Sequence, residues 1–194
     1  MKVILATANA DKARELAGLL EGFEVVPRPA DLPDTEEDAD TLEGNARLKA
    51  LAVGEATGEL AVADDTGLEV DALDGRPGVY AARYAGPEAT YAGNVAKLLE
   101  ELAGVPEAER TARFTTVAVA RFPDGREIVV EGSVEGTIAE APAGEDGFGY
   151  DPVFVPAGGD GRTFAQMTRP EKAEVSHRGR ALRALAAELR RSTP

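Results

Sequence analysis

Cysteine and tryptophan are both missing from the 194 residues. Without thiols the chain can form neither a disulfide nor a thiolate metal site. The lack of cysteine is compatible with a reducing compartment. Aromatic residues make up only 5% against 43% hydrophobic, so alanine and valine must fill much of the interior. No run approaches the roughly 20 apolar residues that a membrane span needs. Lys2 precedes an apolar stretch, Val3-Ile4-Leu5-Ala6, but Asn9, Asp11 and Lys12 end it too early for a secretory signal. The expectation is a soluble, cytoplasmic protein. Basic residues are in short supply as well: 21 against 35 acidic ones, a formal net charge of -14. That balance disfavours broad contact with a nucleic-acid backbone. It leaves room for a small phosphate ligand, because local basic groups and a divalent cation reverse the field within one site.

The hydrophobic periodicity alternates between strand and helix. Val3–Thr7 reads as a short buried strand. Asp11–Leu20 reads as a helix with Ala13, Leu16, Ala17 and Leu20 on one face, and Asn9 and Asp11 are both good N-cap types. Phe23–Val26 is a second strand, and residues 27–40 form a proline-rich acidic loop. Thr41–Glu55 follows as a helix with Leu42, Ala46, Lys49, Ala50 and Val53 at near-helical spacing. Leu60–Asp64 reads as a strand ending at Asp65-Thr66-Gly67, with Leu68–Ala72 extended beyond it. Residues 74–88 are a Gly/Pro loop, and Thr90–Ala103 is a helix. The second half turns to β alternation: Ala112–Phe122, a Pro123-Asp124-Gly125 turn, Ile128–Val134, then Gly136–Glu140 as a further strand. A glycine-rich loop over 143–151 precedes Pro152–Val155, and a last helix starts near Ser176. The pattern implies a mixed α/β protein whose long sheet has antiparallel pairs in its middle, with helices packed around it.

Five segments carry chemistry. Thr7-Ala8-Asn9-Ala10-Asp11-Lys12 leaves a strand and opens a helix, where unpaired N–H groups and the positive end of the helix dipole suit phosphate. The glycines and GK[ST] ending of a P-loop are missing. Asp64 and Asp65 are adjacent carboxylates, costly at a strand end unless cations or donors neutralise them. Neighbours on a strand point to opposite faces, so one carboxylate is expected in the site. The acidic run Asp34–Asp38 offers a partner that shares a magnesium ion with an aspartate. In Gly147-Phe148-Gly149-Tyr150-Asp151-Pro152, the glycines let backbone approach a ligand and an aromatic ring offers a stacking face. The only histidine, His177, lies beside Arg178 and five residues after Lys172, which reads as a cationic pocket for an anion.

Together these segments resemble the inosine triphosphate pyrophosphatases, also called Ham1-like. T-x-N-x-x-K matches Thr7, Asn9 and Lys12, and N-A-x-x-K-A matches Asn45, Ala46, Lys49 and Ala50. A-D-D-S/T-G-L matches Ala63–Leu68, and residues 75–84 resemble the family's G-x-P-G-x-x-S-A-R-[YW]. F-G-Y-D-P and S-H-R-G stand at 148–152 and 176–179. The resemblance covers nearly the whole chain and implies one Ham1-like domain over 1–194. It implies an elongated central mixed sheet flanked by helices, with two lobes around a nucleotide-binding cleft, usually as a homodimer. The implied reaction is Mg²⁺-dependent cleavage of ITP, dITP or XTP between the α- and β-phosphates, giving the monophosphate and pyrophosphate. By the match, Asp65 is proton acceptor and metal ligand, and Glu37 is the second metal ligand. Residues 7–12, Thr66, Phe148, Gly149, Tyr150, Asp151, Lys172, His177 and Arg178 fall at substrate contacts.

A cation such as Arg178 or Lys172 would favour the 6-carbonyl of hypoxanthine over the amino group of adenine. A departure from the pattern is Gly44, where the family usually has an acid, and it leaves only half of a capping box after Thr41. Two other readings compete: a Maf-like pyrophosphatase with a different base preference, and a nucleotide-binding protein without catalysis.

Overall fold

The computed structural model describes Met1–Ser192. Its elements are β1 (Lys2–Leu5), α1 (Ala10–Leu19), β2 (Glu24–Val26), α2 (Leu42–Thr57), β3 (Ala61–Val70), β4 (Pro77–Gly78) and α3 (Tyr91–Glu101). There follow β5 (Thr111–Arg121), β6 (Glu127–Ile138), β7 (Phe154–Pro156), α4 (Arg169–Val175) and α5 (His177–Arg191). The strands form one sheet in the order β2-β1-β3-β5-β6-β7, with β4 paired to β3. β1 runs parallel to both β2 and β3, in register Val3↔Val25 and Ile4↔Ala61. The β3–β4 and β6–β7 ladders are antiparallel. The α/β class and mixed sheet agree with the expectation.

The chain divides into two compact units. The first holds Met1–Asp65, Thr116–Gly132 and the chain from Arg178 on. Here sheet residues alternate between two cores. Leu16 and Leu20 of α1 and Leu182, Leu185 and Leu189 of α5 cover Val3, Leu5, Val62, Ala118 and Ala120. Ala46, Ala50 and Val53 of α2 cover Ile4, Ala61, Ala63, Val117 and Val119. The period of two along β3 therefore assigns Asp64 to the α1/α5 face, with Val62, and Asp65 to the α2 face. The second unit, Thr66–Thr115 and Ser133–His177, has its own core around Leu68, Leu98, Leu102, Phe114, Phe154 and Phe164.

Three local readings are corrected. The strand carrying the two aspartates does not end at Asp64. It continues to Val70, because Leu68 and Glu69 pair with Gly78 and Pro77, so both carboxylates lie in mid-strand. Residues 128–134 and 136–138 are not in two strands but in one, β6, which ends at Ile138 short of the expected Glu140. Gly136 is there for close approach: a Cβ at this position would lie 2.4 Å from the Val155 carbonyl oxygen and 2.6 Å from the Phe154 ring. A short helix, α4, was missed. Its signal was legible in Thr168-Arg169-Pro170-Glu171: Thr168 and Glu171 form a reciprocal capping box, with proline in the first turn.

Candidate active site

In the first unit the site begins at the start of α1. The Asn9 side chain accepts from the amides of Asp11 and Lys12 at 2.9 and 3.1 Å, and the Asn9 amide donates to Thr7 Oγ1 at 3.2 Å. These donors are engaged within the turn, contrary to the expected array of unpaired N–H groups, because asparagine at the N-cap satisfies them. Ala8 and Ala10 flank this turn on the surface. The chain then turns Lys12 toward β3, placing its ammonium 3.3 Å from Asp64. Arg178, in the first turn of α5, donates to the same Asp64 carboxylate at 3.2 Å and to Glu15 at 2.6 Å. Asp64 thus joins α1 and α5.

Asp65 makes a separate set of contacts with α2. Lys49 donates to it at 2.9 Å and lies 3.4 Å from Glu37 of the acidic loop. Asn45 donates to Asp65 at 3.4 Å and accepts the amide of Ala39, which ties the loop to the helix. Arg28 donates to the carbonyls of Leu32 and Pro33, fixing the base of that loop. Gly44 has a steric cause: a Cβ there would lie 2.6 Å from Ala39 Cβ. An acid at 44 is excluded by the path of this loop.

Burial and charge set the electrostatics. Burial alone would raise the Asp64 carboxyl, but Lys12, Arg178 and Lys49 overcome it and hold Asp64 well below the usual carboxylate range. Burial lowers Lys12 despite the pull of Asp64, with Lys49 and Arg178 adding to the fall. For Lys49, burial works against the charge but is outweighed by Asp65, Asp64 and Glu37, so its pKa rises. Arg178 is likewise raised: burial opposes its charge, but Asp64 and Glu15 prevail.

In the second unit the glycine-rich loop is shaped around one carboxylate. Gly147 and Gly149 have φ of 75° and 64°, and a Cβ on Gly147 would lie 2.0 Å from Asp151 Oδ2. That oxygen accepts the Phe148 amide at 2.8 Å and the buried Lys172 ammonium at 2.6 Å. The Lys172 ammonium also lies over the Phe148 ring, 4.9 Å from its centroid. The half-buried Phe148 sits beside the buried Tyr150, whose hydroxyl donates to Ala81 O at 2.8 Å.

His177 lies among aromatic rings of the second unit. Its imidazole is buried and stacks on Phe114, centroids 4.4 Å apart and 15° between planes. Consecutive residues on a helix point about 100° apart, so Arg178 takes a separate direction to the carboxylates. Lys172 pairs with Asp151 in the second unit, and Arg178 with Asp64 and Glu15 in the first. Thr66 follows Asp65 in β3 and is half-buried. Lys49, Asn45 and Glu15 were not foreseen as site residues. For the first two a signal existed: polar side chains four apart on the apolar stripe of α2 need partners there. Among the described residues, no three histidine, aspartate or glutamate side chains gather to hold a metal. None of the described helices is long and apolar enough to cross a membrane.

This frame recurs in known proteins. The model of the Ham1 family matches residues 3–188, and the chain belongs to that family. A dITP/XTP pyrophosphatase of an Exiguobacterium species is 50% identical over 194 residues, 97% of each chain. One from Nitratidesulfovibrio vulgaris is 52% identical over 193 residues, 94% of this chain and 93% of that one. A solved HAM1 protein from Coxiella burnetii, 36% identical, superposes with a TM-score of 0.88 over 99% of this chain and 100% of its own.

Proposed function

We propose that this protein hydrolyses dITP, ITP and XTP to the monophosphate and pyrophosphate, with magnesium, and so clears abnormal purines from the cytoplasmic nucleotide pool. Family membership supports the reaction class, and the relatives' shared name supports the substrates. One observation of the site carries the mechanism. The adjacent aspartates serve opposite faces of β3, Asp64 holding Lys12 and Arg178, and Asp65 holding Lys49.

Asp64 then works as an anchor. Held ionised between two cations, it orients Lys12 and Arg178 for the phosphate chain. Asp65 is the proton acceptor: water adds to phosphorus, the bond to the α–β bridging oxygen breaks, and the water proton passes to the carboxylate. The residues fit a divalent ion. Glu37 and Asp65 already converge on one cationic point, Lys49 Nζ, at 3.4 and 2.9 Å. On the other face of β3, Asp64 and Glu15 lie against Lys12 and Arg178. Magnesium takes one or two carboxylates together with water and phosphate oxygens, and Glu37 and Asp65 would hold it. When bound it supplies Lewis-acid stabilisation of phosphoryl charge.

The proposal extends to recognition of the base. Phe148 offers the stacking face and Lys172, oriented by Asp151, faces a 6-carbonyl. Thr66, Tyr150 and His177 complete the substrate set, with His177 held in place by Phe114. The reading treats residues 1–194 as one functional domain acting as a homodimer.

The test is a panel of nucleoside triphosphates with pyrophosphate detection, with and without Mg²⁺. Release from dITP and XTP, far above ATP and the pyrimidines and only with the metal, supports the reading. A preference for pyrimidines would point to a Maf-like enzyme. Binding of dITP without release would make the protein a nucleotide binder.

A further inference from the structure

We propose that Tyr91 is a positioning residue for the Phe148 ring, and through it sets the affinity for the purine base. The proposal rests on the reading of Phe148 as the stacking face.

Tyr91 is the first residue of α3, a place where a large ring does no capping work. Its backbone is firmly held. Thr90 caps the helix by accepting the Gly93 amide at 3.0 Å, while Asn94 accepts the Ala85 amide and donates to Ala82 O. The ring projects from this anchor to 5.8 Å from the Phe148 ring, at 40° between planes. Tyr91 is nonetheless 42% exposed, one of few large hydrophobic residues left so.

The loop fixes the Phe148 backbone, and Tyr91 meets its ring. Gly147, Gly149 and the bond from the Phe148 amide to Asp151 set the main chain. Rotation about the side-chain bonds is limited only by what the ring touches, and Tyr91 and the Lys172 ammonium are two such neighbours. Both rings line a cavity of about 490 Å³, with Val95, Leu99, Pro142 and Pro152. Truncating Tyr91 enlarges this space, and the Phe148 ring gains room to rotate away from the pose in which it meets a base. The reacting phosphates are assigned to other residues, so the change falls on binding rather than on the chemical step.

Steady-state kinetics with dITP and Mg²⁺ test this, using Tyr91→Ala, Tyr91→Phe, Phe148→Ala and the double alanine variant, each checked for an unchanged melting midpoint. Tyr91→Ala is expected to raise KM about threefold to tenfold, the scale of one aromatic pair, with kcat within about twofold. Tyr91→Phe restores the wild-type KM, because the ring and not the hydroxyl does the positioning. In the Phe148→Ala background, removing Tyr91 has no further effect. An unchanged KM in Tyr91→Ala, beside a raised KM in Phe148→Ala, overturns the role of Tyr91 and leaves the base reading standing. An unchanged KM in Phe148→Ala overturns both. A parallel fall of kcat and melting midpoint in Tyr91→Ala shows a merely structural role and also overturns the proposal.

Discussion

Asp64 and Asp65 are chemically identical neighbours made unlike by the pleat of β3. Asp64 is caught between Lys12 and Arg178, whereas Asp65 meets Lys49 and Asn45. If Asp65 takes the proton, Asp65→Asn removes the acceptor while keeping the shape. Turnover of dITP at saturating Mg²⁺ should fall at least tenfold, a barrier increase of about 1.4 kcal/mol or more. Retention of more than about a tenth of the activity rejects Asp65 as essential. Lys49 offers a second test. Its ammonium neutralises Asp65 and Glu37, and removing one partner of a buried pair costs about 3–5 kcal/mol. Lys49→Met should therefore melt well below the wild type. The two carboxylates left behind would bind magnesium more tightly, so MgCl2 should raise the variant's melting midpoint by more than the wild type's. Equal shifts would mean that Glu37 and Asp65 do not form the metal site.

At the scale of elements, Gly136 lets β7 come close to the end of β6. Gly136→Ala places a methyl against Val155 O and the Phe154 ring, and overpacking of this kind costs about 1–3 kcal/mol. The urea midpoint should fall without a change in slope. In α4, Arg162 and Thr168 hold the Glu171 carboxyl at about 2, below its ordinary 4.5. The folded value lies below the unfolded one, so this stabilisation is present above pH 4.5 and is lost as pH falls toward 2. Glu171→Gln should flatten the acid limb of stability in that window. These elements also mark how far the sequence could be read. α2 and α3 lie within two residues of their expected bounds, because Thr41 and Thr90 cap them and local chemistry decides. Gly136 looked like a break because a close approach of distant strands leaves no local trace. Among the site residues, Asp65, Glu37, Lys12 and Lys172 were singled out from motifs. The salt bridges that give Asp65 and Glu37 their direction depend on Lys49 of α2, while Lys12 turns to Asp64 of β3 and Lys172 to Asp151, partners distant in sequence. The stacking of His177 on Phe114 was out of reach for the same reason, since 63 positions separate them.

For the molecule as a whole, the net charge of -14 opposes the approach of a polyanionic nucleotide. The site counters this only at short range and with magnesium bound, because Lys12, Lys49 and Arg178 are set among the carboxylates of Glu15, Glu37, Asp64 and Asp65. Mobile salt screens charges over about 10 Å at 0.1 M and weakens distant repulsion more than close contacts. With Mg²⁺ held constant, kcat/KM for dITP should therefore rise about twofold to fivefold between low salt and about 0.15 M, the reverse of an electrostatically steered enzyme. The measurement is an initial-rate series in NaCl at low substrate. A steady fall in kcat/KM over that range would mean that the basic groups dominate the field out to the distance where encounter is decided. The acidic surface would then be far enough from the entry path to leave the nucleotide's approach unhindered.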